Sequence, residues 1–304
     1  RMTATTEATQ VCLARLEIAE GPRRLLHGRG GSYEGHHHVV VDWYPPYVLI
    51  GSFDGGEYSD LVGALAARSE VEGVLLQMRR GRETSAKSVM GRVPEEFLVE
   101  ERSLAFRIRP YRSQNVGLFL DMAPIRDWVR ERALNKKILN LFAYTCAFSV
   151  YAIAGGAEVV YNNDMSRAAL DWGRDNHRIN RHDLGRVKML PHNVFRSWGK
   201  LSKLGPYDMV ICDPPTLQRG SFVAETDYGR VIKRLTSLVK PGGDVLVCLN
   251  SPFLGRQFIE DHMTRWGKRL TLQGWLPTST DFNEANIEAG LKVGHYRNGL
   301  ADRR

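Results

Sequence analysis

The second half of the chain alternates short apolar runs with longer stretches in which apolar residues recur every three or four positions. The apolar runs are KKILNLF, AEVVYNND, VKMLPHN, YDMVICD and GDVLVCLN. The stretches between them are AFSVYAIAGG, SRAALDWGRDNHRIN and DYGRVIKRLTSLVKPGG, two of which close with glycines, as helices commonly do. This alternation of strand and helix predicts a parallel, doubly wound α/β sheet. Farther along, RLTLQGWLP and GLKVGHYR predict an antiparallel pair at the edge of that sheet.

The first part of the chain has a different pattern. The segments HHHVVVDWYPPYVLIGSF, VEGVLLQMRR, EEFLVEERSLAFRIRPY and NVGLFLD predict short strands joined by turns, and YSDLVGALAAR predicts one intervening helix. The change of pattern falls in MAPIRDWVRERALNKK, which predicts a connecting helix with Pro124 near its first turn. We therefore predict two domains, a smaller strand-rich α+β domain over residues 1–122 and the α/β domain over residues 123–304.

The charge balance adds a clue about partners. The chain has 304 residues and a net charge of +8. This excess of positive charge fits either a phosphate-rich partner such as RNA or a merely basic enzyme. A basic run that contains Arg79, Arg80 and Arg82 is a candidate RNA-binding surface, with a solvated charged face as the alternative.

The composition also argues against several classes of protein. No apolar run reaches the roughly 18 residues that a membrane span needs, and the polar N-terminal segment has no secretory signal. The four cysteines, Cys12, Cys146, Cys212 and Cys248, form no C-x-x-C pair, so we expect neither a metal site nor a disulfide framework. These features predict a cytoplasmic protein.

The stretch VICDPPT combines a strand with an abrupt stop. Val210, Ile211 and Cys212 predict a buried strand, but Asp213 follows them and then two prolines, Pro214 and Pro215. Two successive prolines fix the backbone φ angle and remove two hydrogen-bond donors, so the chain must leave the sheet. We expect a stiff turn with a carboxylate at its lip.

Other polar residues occupy the predicted strand ends, where an open parallel sheet binds its ligands. The first strand runs into NLFAYTCAF, a loop that leads into a helix, and the second ends at Asp164, about 20 residues later, where an acid often binds a ribose. Asp164 could instead be a helix cap. The third strand ends at His192 and Asn193, whose polar groups could contact a purine. The glycine fingerprint of nicotinamide enzymes is absent, which argues against that class.

The order and spacing of these motifs resemble a known family. NLFAYTCAFSVYAIAGGAEVVYNNDMSRAALDWGRDNHRIN followed by VICDPPT resembles the class I S-adenosylmethionine-dependent methyltransferases that modify bacterial 23S ribosomal RNA. NVGLFLDMAPIR is similar to the family's TGLFLDHRPTR pattern, so the resemblance covers roughly residues 114–250. It implies a Rossmann-like class I methyltransferase fold for the second domain, S-adenosylmethionine as cofactor and ribosomal RNA as partner.

The resemblance also implies roles for individual residues. Cofactor-binding residues by position are Phe142, Ala143, Tyr144, Thr145, Asp164, Met165, Ser166, His192, Asn193, Val194 and Asp213. Asp164 would bind the ribose and Asp213 the methionine amine, while Pro214, Pro215 and Thr216 would face the target base. The sequence departs from the family pattern at Cys146, where a glycine is usual, and at Asn193, where an acid is usual.

The residue at the end of the fifth strand separates two branches of the family. Cytosine-C5 enzymes place a nucleophilic cysteine there, whereas this chain has Asn250, as the guanine-N7 branch does, and Cys248 lies two residues earlier. The leading hypothesis is therefore nitrogen-directed methylation of a 23S ribosomal RNA base. The alternatives are methylation of a small molecule or a protein on the same cofactor domain, and a non-catalytic RNA-binding or assembly factor with a degenerate cofactor pocket.

Overall fold

The computed structural model describes residues 4–80, 83–218 and 222–299. The chain divides into two compact units, each described here by itself. The first consists of Arg1–Asp121 and Ser279–Ile287, and the second of Met122–Thr278 and Glu288–Arg304. The predicted two-domain division assigned all of residues 123–304 to the second domain. Ser279–Ile287 belongs instead with the first unit, because its contacts are there.

The helices and strands of the described residues follow in chain order. The helices are α1 (Ala4–Glu17), α2 (Ser59–Ala66), α3 (Ala123–Arg132), α4 (Ala147–Ala154), α5 (Arg167–Ile179), α6 (Trp198–Leu204), α7 (Ala224–Leu238) and α8 (Arg256–Trp266). The strands are β1 (Arg23–His27), β2 (Val39–Tyr44), β3 (Tyr47–Ser52), β4 (Gly73–Arg80), β5 (Glu83–Gly91), β6 (Phe97–Glu101), β7 (Leu104–Ile108), β8 (Lys137–Leu141), β9 (Val159–Asn163), β10 (Val187–Leu190), β11 (Tyr207–Cys212), β12 (Leu217–Gln218), β13 (Phe222–Val223), β14 (Val239–Asn250), β15 (Leu270–Trp275) and β16 (Leu291–Asn298).

The first unit is built on a five-stranded sheet in the order β1-β2-β3-β4-β5. β3 and β4 are parallel and joined through α2, while the other neighbours are antiparallel. Helix α1 packs with α2 on the core of this sheet, burying Ala8, Cys12 and Leu16 at four-residue spacing. The sequence analysis did not predict α1, because the segment is largely polar and these three residues are the main apolar positions that mark its buried face.

One strand prediction in this unit was wrong. NVGLFLD, residues 115–121, forms no strand, and a short 3-10 helix begins at Leu120. The segment is held by other means. The Tyr44 hydroxyl donates to the carbonyl of Leu118 (2.9 Å), and the Gln77 side-chain amide donates to the carbonyl of Pro110 (2.9 Å). Side-chain donors from the sheet thus replace the ladder that a strand would have formed.

Partly buried polar contacts, including the ion pair between Arg23 and Asp281, hold residues 279–287 in the first unit. Arg23 donates to both carboxylate oxygens of Asp281, at 3.2 and 2.5 Å. Arg24 lies over the Phe282 ring, 4.3 Å from its centroid, and His27 contacts Glu284 at 2.9 Å. Charged groups as buried as these require close partners. The first unit is therefore completed by a stretch of chain that lies between β15 and β16.

The second unit contains a seven-stranded sheet in the order β10-β9-β8-β11-β14-β16-β15. The first five strands are parallel, and β16 runs antiparallel to both β14 and β15. Successive residues of the central strands alternate between two cores: Val210 and Cys212 lie in one, Met209 and Ile211 in the other. The predicted α/β fold with an antiparallel edge pair is confirmed.

A chain of buried polar side chains crosses one face of this sheet. Asn140 of β8 donates to Asn162 of β9 (3.0 Å), which donates to the Ser149 hydroxyl (2.9 Å). Ser149 contacts Nε2 of His177 (2.8 Å), and Nδ1 of His177 contacts Nδ1 of His182 (2.9 Å). All of these contacts are satisfied when the Ser149 hydroxyl donates to Nε2 and the His177 proton lies on Nδ1. In that arrangement both histidines are neutral, in agreement with the burial that lowers the pKa of each.

This arrangement generates a prediction on acid stability. Burial, with a smaller contribution from His182, lowers the pKa of His177 from 6.5 to about 3. Above pH 6.5 His177 is neutral in both folded and unfolded chains, but as the pH falls from 6.5 toward 3 the unfolded chain binds a proton that the folded chain does not, so stability is lost. We expect a loss of about 2 kcal/mol in unfolding free energy between pH 6.5 and 5, measured by urea unfolding.

A variant comparison isolates the contribution of His177. His177→Gln should be less stable than wild type at pH 7 but should show a flatter decline between pH 6.5 and 5. His192→Gln changes an exposed histidine of the same unit, and its decline should match that of wild type. An equally steep decline in His177→Gln would show that other groups cause the acid sensitivity.

Candidate functional site at the carboxyl edge of the sheet

The carboxyl ends of the parallel strands meet at one edge of the second unit. Leu141, the last residue of β8, lies beside Asn163 of β9 and Cys212 of β11. Asn163 in turn lies beside Leu190, the last residue of β10. These four strands therefore end level with one another, and the loops that follow them start side by side. The predicted site residues after these strands are brought together at this edge.

The loop after β8 has an unusual backbone. Phe142, Tyr144 and Cys146 have positive φ angles of 58°, 50° and 62°. Left-handed backbone costs a non-glycine residue about 1 kcal/mol or more, and such strain persists where the surroundings impose it. The amide of Ala143 donates to the carbonyl of Asn163 (3.0 Å), and the Asn176 side chain donates to the carbonyl of Thr145 (3.0 Å). Both neighbouring elements thus hold the loop in this conformation.

Cys146 fits its left-handed position through a complementary glycine. Its side chain is fully buried, and a Cβ atom built on Gly173 of α5 would lie 2.4 Å from its sulfur. No side chain at position 173 is compatible with that contact. The departure from the usual glycine at position 146 is therefore accommodated by a glycine on the facing helix. Burial, the largest cause, raises the pKa of the Cys146 thiol, so it stays protonated.

Asp164 links the loops after β8 and β9. One carboxylate oxygen accepts from the backbone amide of Tyr144 (2.9 Å) and the other from that of Ser166 (2.8 Å). The cap of α5 is Ser166, whose hydroxyl accepts from the Ala169 amide (3.1 Å). A carboxylate has about four lone-pair positions, so each oxygen retains acceptor capacity for a ligand hydroxyl. Met165, beside it, is 48% exposed.

The loop after β10 carries the next group of predicted residues. His192 is exposed and lies 3.1 Å from the Lys200 amine, and Val194 is buried. The Asn193 side-chain oxygen accepts from the amide of Phe195 (2.9 Å). The side-chain nitrogen of Asn163 donates to the carbonyls of Leu190 and His192, at 3.1 and 3.0 Å. A buried amide of β9 therefore sets the backbone of this loop.

The D-P-P turn lies beside the overhanging end of β14. Cys212 pairs with Val247, so β14 continues for three residues, to Asn250, beyond the end of β11. The Thr216 hydroxyl donates to the carbonyl of Asn250 (2.5 Å). Asp213 and Pro215 are half-buried and Pro214 is buried. The turn is therefore fixed at both of its ends, as two successive prolines predict.

The cysteines of the two central strands lie inside the sheet. Cys212 and Cys248 are each 0% exposed and belong to cores on opposite faces. Burial, followed by the nearby charge of Asp213, raises the pKa of the Cys212 thiol. Cys248 pairs with Val293 of β16, and its carbonyl accepts from the Tyr228 hydroxyl. Neither thiol reaches the surface where a substrate would lie.

Comparison with known proteins identifies the family. Residues 23–297 match the sequence profile of the S-adenosylmethionine-dependent methyltransferases. The chain belongs to this family. Its members use S-adenosylmethionine as the methyl donor, so the predicted cofactor and enzyme class are confirmed.

Two relatives and one solved structure show which proteins this methyltransferase is similar to. "Putative ribosomal RNA large subunit methyltransferase YwbD" of Bacillus subtilis is 25% identical over 289 residues, which cover 88% of this chain and 72% of that protein. Ribosomal RNA large subunit methyltransferase K/L of Vibrio parahaemolyticus is 31% identical over 234 residues, 70% of this chain. The chain spans about a third (32%) of the length of such K/L relatives. The crystal structure of SMU.776, "a putative methyltransferase complexed with SAH", has the same fold, with a TM-score of 0.86, 21% identity, and coverage of 98% of this chain and 82% of that one.

Three supporting residues of the methyltransferase unit escaped the sequence analysis. Asn163, Asn176 and Lys292 hold the loops at the carboxyl edge, and all three are nearly or fully buried. A buried amide or amine must find hydrogen-bond partners, so polar residues inside otherwise apolar strands and helix faces were the available signal. NND in β9 and LKV in β16 are two such places.

The remaining expectations concern the first unit, metals and membranes. Arg79 and Arg80 end β4, the side chain of Arg80 is not described, and Arg82 lies outside the described residues. Within the described part of the chain, His, Cys, Asp and Glu side chains form no group of three that could hold a metal ion. In that same part, every helix is too short or too polar to span a bilayer.

The geometry of Asp164 predicts its effect on cofactor binding. Asp164→Ala should lower the affinity for S-adenosylmethionine by about 10- to 100-fold in calorimetry, as the loss of charge-assisted hydrogen bonds does. Asp164→Asn retains one acceptor oxygen and should lose less. Asp183→Ala is the matched control, since Asp183 also accepts from the amide two residues on (2.8 Å) but precedes β10 at the opposite edge. Unchanged affinity in a folded Asp164→Ala variant would remove Asp164 from the cofactor site.

Proposed function

We propose that this protein is an S-adenosylmethionine-dependent methyltransferase that modifies a ring nitrogen of a base in large-subunit ribosomal RNA. The observation that carries the proposal is the carboxyl edge of the sheet, where the Asp164 loop and the Asp213-Pro214-Pro215 turn follow level strands. RNA as the substrate is supported by the names of two relatives, the "Putative ribosomal RNA large subunit methyltransferase YwbD" of B. subtilis and the "Ribosomal RNA large subunit methyltransferase K/L" of V. parahaemolyticus.

The residues at this edge fit an adenosyl cofactor. The Asp164 carboxylate has acceptor capacity for the two ribose hydroxyls. Met165 supplies apolar surface on the loop after β9, where an adenine would lie, and Val194 fixes the loop after β10 to the core. Phe142, Ala143, Tyr144 and Thr145 would surround the methionine part, and Asp213 would bind its ammonium group through opposite charge. Ser166, His192 and Asn193 complete the proposed pocket.

Methyl transfer requires the protein mainly to position the base against the methyl group of the cofactor. The bound cofactor supplies an already reactive methyl group. A base nitrogen with a free lone pair, such as guanine N7, needs to be held in line with that group and needs no covalent activation. Pro214, Pro215 and Thr216 form the rigid turn against which the base would lie, and Asn250 anchors that turn through its carbonyl.

The buried thiols support nitrogen over cytosine C5. Methylation at C5 requires a cysteine thiolate to add to the ring first. Cys212 and Cys248 are enclosed in the two cores, and burial disfavours the thiolate. The side chain at the end of β14 is Asn250, which has no nucleophilic sulfur.

Cysteine and aspartate variants test this mechanism. Cys212→Ala and Cys248→Ala should retain most methyl transfer and lose about 1 to 3 kcal/mol of stability through the cavity left behind. Cys12→Ala removes a buried thiol from the core of the first unit and serves as the control. Asp213→Ala should lose nearly all activity, because the carboxylate that binds the cofactor amine is gone. The measurement is transfer of tritiated methyl to ribosomal RNA from a strain that lacks the protein.

Two results would contradict the nitrogen assignment. One is a Cys248→Ala variant that binds cofactor and RNA normally but transfers no methyl group. The other is a covalent complex trapped on RNA containing 5-fluorocytidine. Mass spectrometry of ribosomal RNA nucleosides, with and without the gene, identifies the modified base directly. If every methylated nucleoside is still present without the gene, the RNA proposal is overturned.

A cationic cluster in the first unit supports an RNA-binding role. The guanidinium of Arg29 lies 3.9 Å from the centroid of Phe53, and that of Arg79 lies 5.4 Å from it. Arg79 is held by Gln77, whose side-chain oxygen accepts from it at 2.6 and 3.2 Å, and it packs over Gly51, where a Cβ atom would lie 3.0 Å away. Asp42 is already paired with Arg24 at 2.7 and 3.0 Å.

The positive charges of the arginines in this cluster lie close enough to repel one another. Burial is the largest factor lowering the pKa of Arg79, and the positive charges of Arg24 and Arg29 lower it further, against the opposite effect of Asp42. A phosphate group would relieve that repulsion, and an aromatic ring beside two arginines suits a nucleotide. We propose that Arg29 and Arg79, with Arg80 and Arg82 in the same basic run, bind the RNA backbone.

Salt dependence tests this surface. Replacing Arg29 and Arg79 together by Ala should weaken RNA binding and reduce the slope of log affinity against log salt by about 0.7 to 0.9 for each phosphate that the variant no longer binds. Arg68→Ala is the control, because Arg68 is paired with Glu70 in the same unit. Cofactor affinity should stay at the wild-type value. An unaltered slope in the double variant would mean that these arginines do not contact RNA.

A further inference from the structure

Phe253 is an exposed aromatic side chain just beyond the proposed active site. It is 90% exposed, and among the described residues of the second unit it is the one Phe, Trp or Tyr whose side chain is exposed. It lies three residues after Asn250, on the loop that follows β14. Single exposed aliphatic residues are ordinary on protein surfaces. The proposed methyl-transfer mechanism assigns no role to this exposed phenyl ring.

The loop that carries Phe253 is built to hold it in place. The Ser251 hydroxyl accepts from the amides of Phe253 (3.1 Å) and Leu254 (3.2 Å). The carbonyl of Ser251 accepts from the Lys292 amine (2.8 Å), and Lys292 is itself 2% exposed. Leu254, the next residue along the loop, packs against the core. Phe253 is therefore displayed from a backbone that is fixed on both sides of it.

The same loop is connected to the D-P-P turn. The Thr216 hydroxyl donates to the Asn250 carbonyl, so the turn and the start of the Phe253 loop share one hydrogen bond. Met165, on the loop after β9, is 48% exposed, and Leu217, which begins β12 directly after the D-P-P turn, is 63% exposed. The surface around the proposed site thus offers flat or apolar contacts from three segments, and Phe253 provides its aromatic ring.

We infer that Phe253 stacks on the unpaired nucleobase that this enzyme methylates. The inference rests on the proposed RNA methylation. A base taken out of its helix loses its stacking partners, and an aromatic side chain replaces them without regard to sequence. The rigid loop sets the ring before the base arrives, so little conformational freedom is lost on binding. Pro214 and Pro215 would face the base from the turn, and Phe253 would hold it there.

Substitutions at position 253 separate stacking from a general apolar contact. Phe253→Ala should lower kcat/KM for methyl transfer to ribosomal RNA from a strain lacking the protein by about 10- to 100-fold. Because the ring is exposed, the melting temperature and the affinity for S-adenosylmethionine should not change. Phe253→Trp should recover most of the loss, since indole also stacks. Phe253→Leu keeps apolar area without a π face and should remain close to Phe253→Ala.

Leu134→Ala is the matched control, because Leu134 is 67% exposed in the same unit and precedes β8 at the opposite edge. Wild-type kinetics in Phe253→Ala, with RNA methylation intact, would overturn the stacking role and leave the proposed function standing. Full activity in Phe253→Leu would also overturn it, in favour of a plain apolar contact. A wild-type enzyme that methylates protein and no RNA would overturn both proposals.

Discussion

The Asp164 carboxylate is the interaction on which the carboxyl edge depends. The loop after β8 contains three left-handed non-glycine residues, a conformation that a free loop would leave. Because β8 and β9 end in register, with Leu141 beside Asn163, the carboxylate that follows β9 reaches the Tyr144 amide in the loop after β8. Its second oxygen binds the Ser166 amide ahead of α5. One side chain therefore positions two loops and keeps acceptor capacity for a ligand.

The layers behind this edge act as its support. Gly173 leaves the space that Cys146 fills, and Asn176, on the same helix, binds the carbonyl of Thr145. Below them the buried chain from Asn140 to His182 ties β8, β9, α4 and α5 together. On the other side, Thr216 and Lys292 fix the D-P-P turn and the loop that carries Phe253. A methyl-transfer enzyme works mainly by positioning, and this edge consists largely of positioning contacts.

Much of the fold and the outline of the site could be predicted from the chain. The alternation of strands and helices specified the parallel sheet, because each element must bury an apolar face of fixed period. D-P-P predicted a stiff turn because proline restricts the backbone wherever it occurs. Prediction from the local sequence pattern failed in two places. Helix α1 has a sparse apolar face, and the apolar segment NVGLFLD is held by Tyr44 and Gln77 side chains instead of a neighbouring strand.

The sequence by itself determined the alternation of strands and helices, the acids at the strand ends and the family to which these motifs belong. The tertiary structure alone decided which residues support them. Ser279–Ile287 belongs to the first unit because Asp281 and Glu284 bind Arg23 and His27, each more than 250 positions earlier in the chain. The fit of Cys146 depends on Gly173, and the backbone of the Phe253 loop on Lys292. Such contacts join residues that are distant in the chain, and local periodicity carries no information about them because they form only when the sheet brings their elements together.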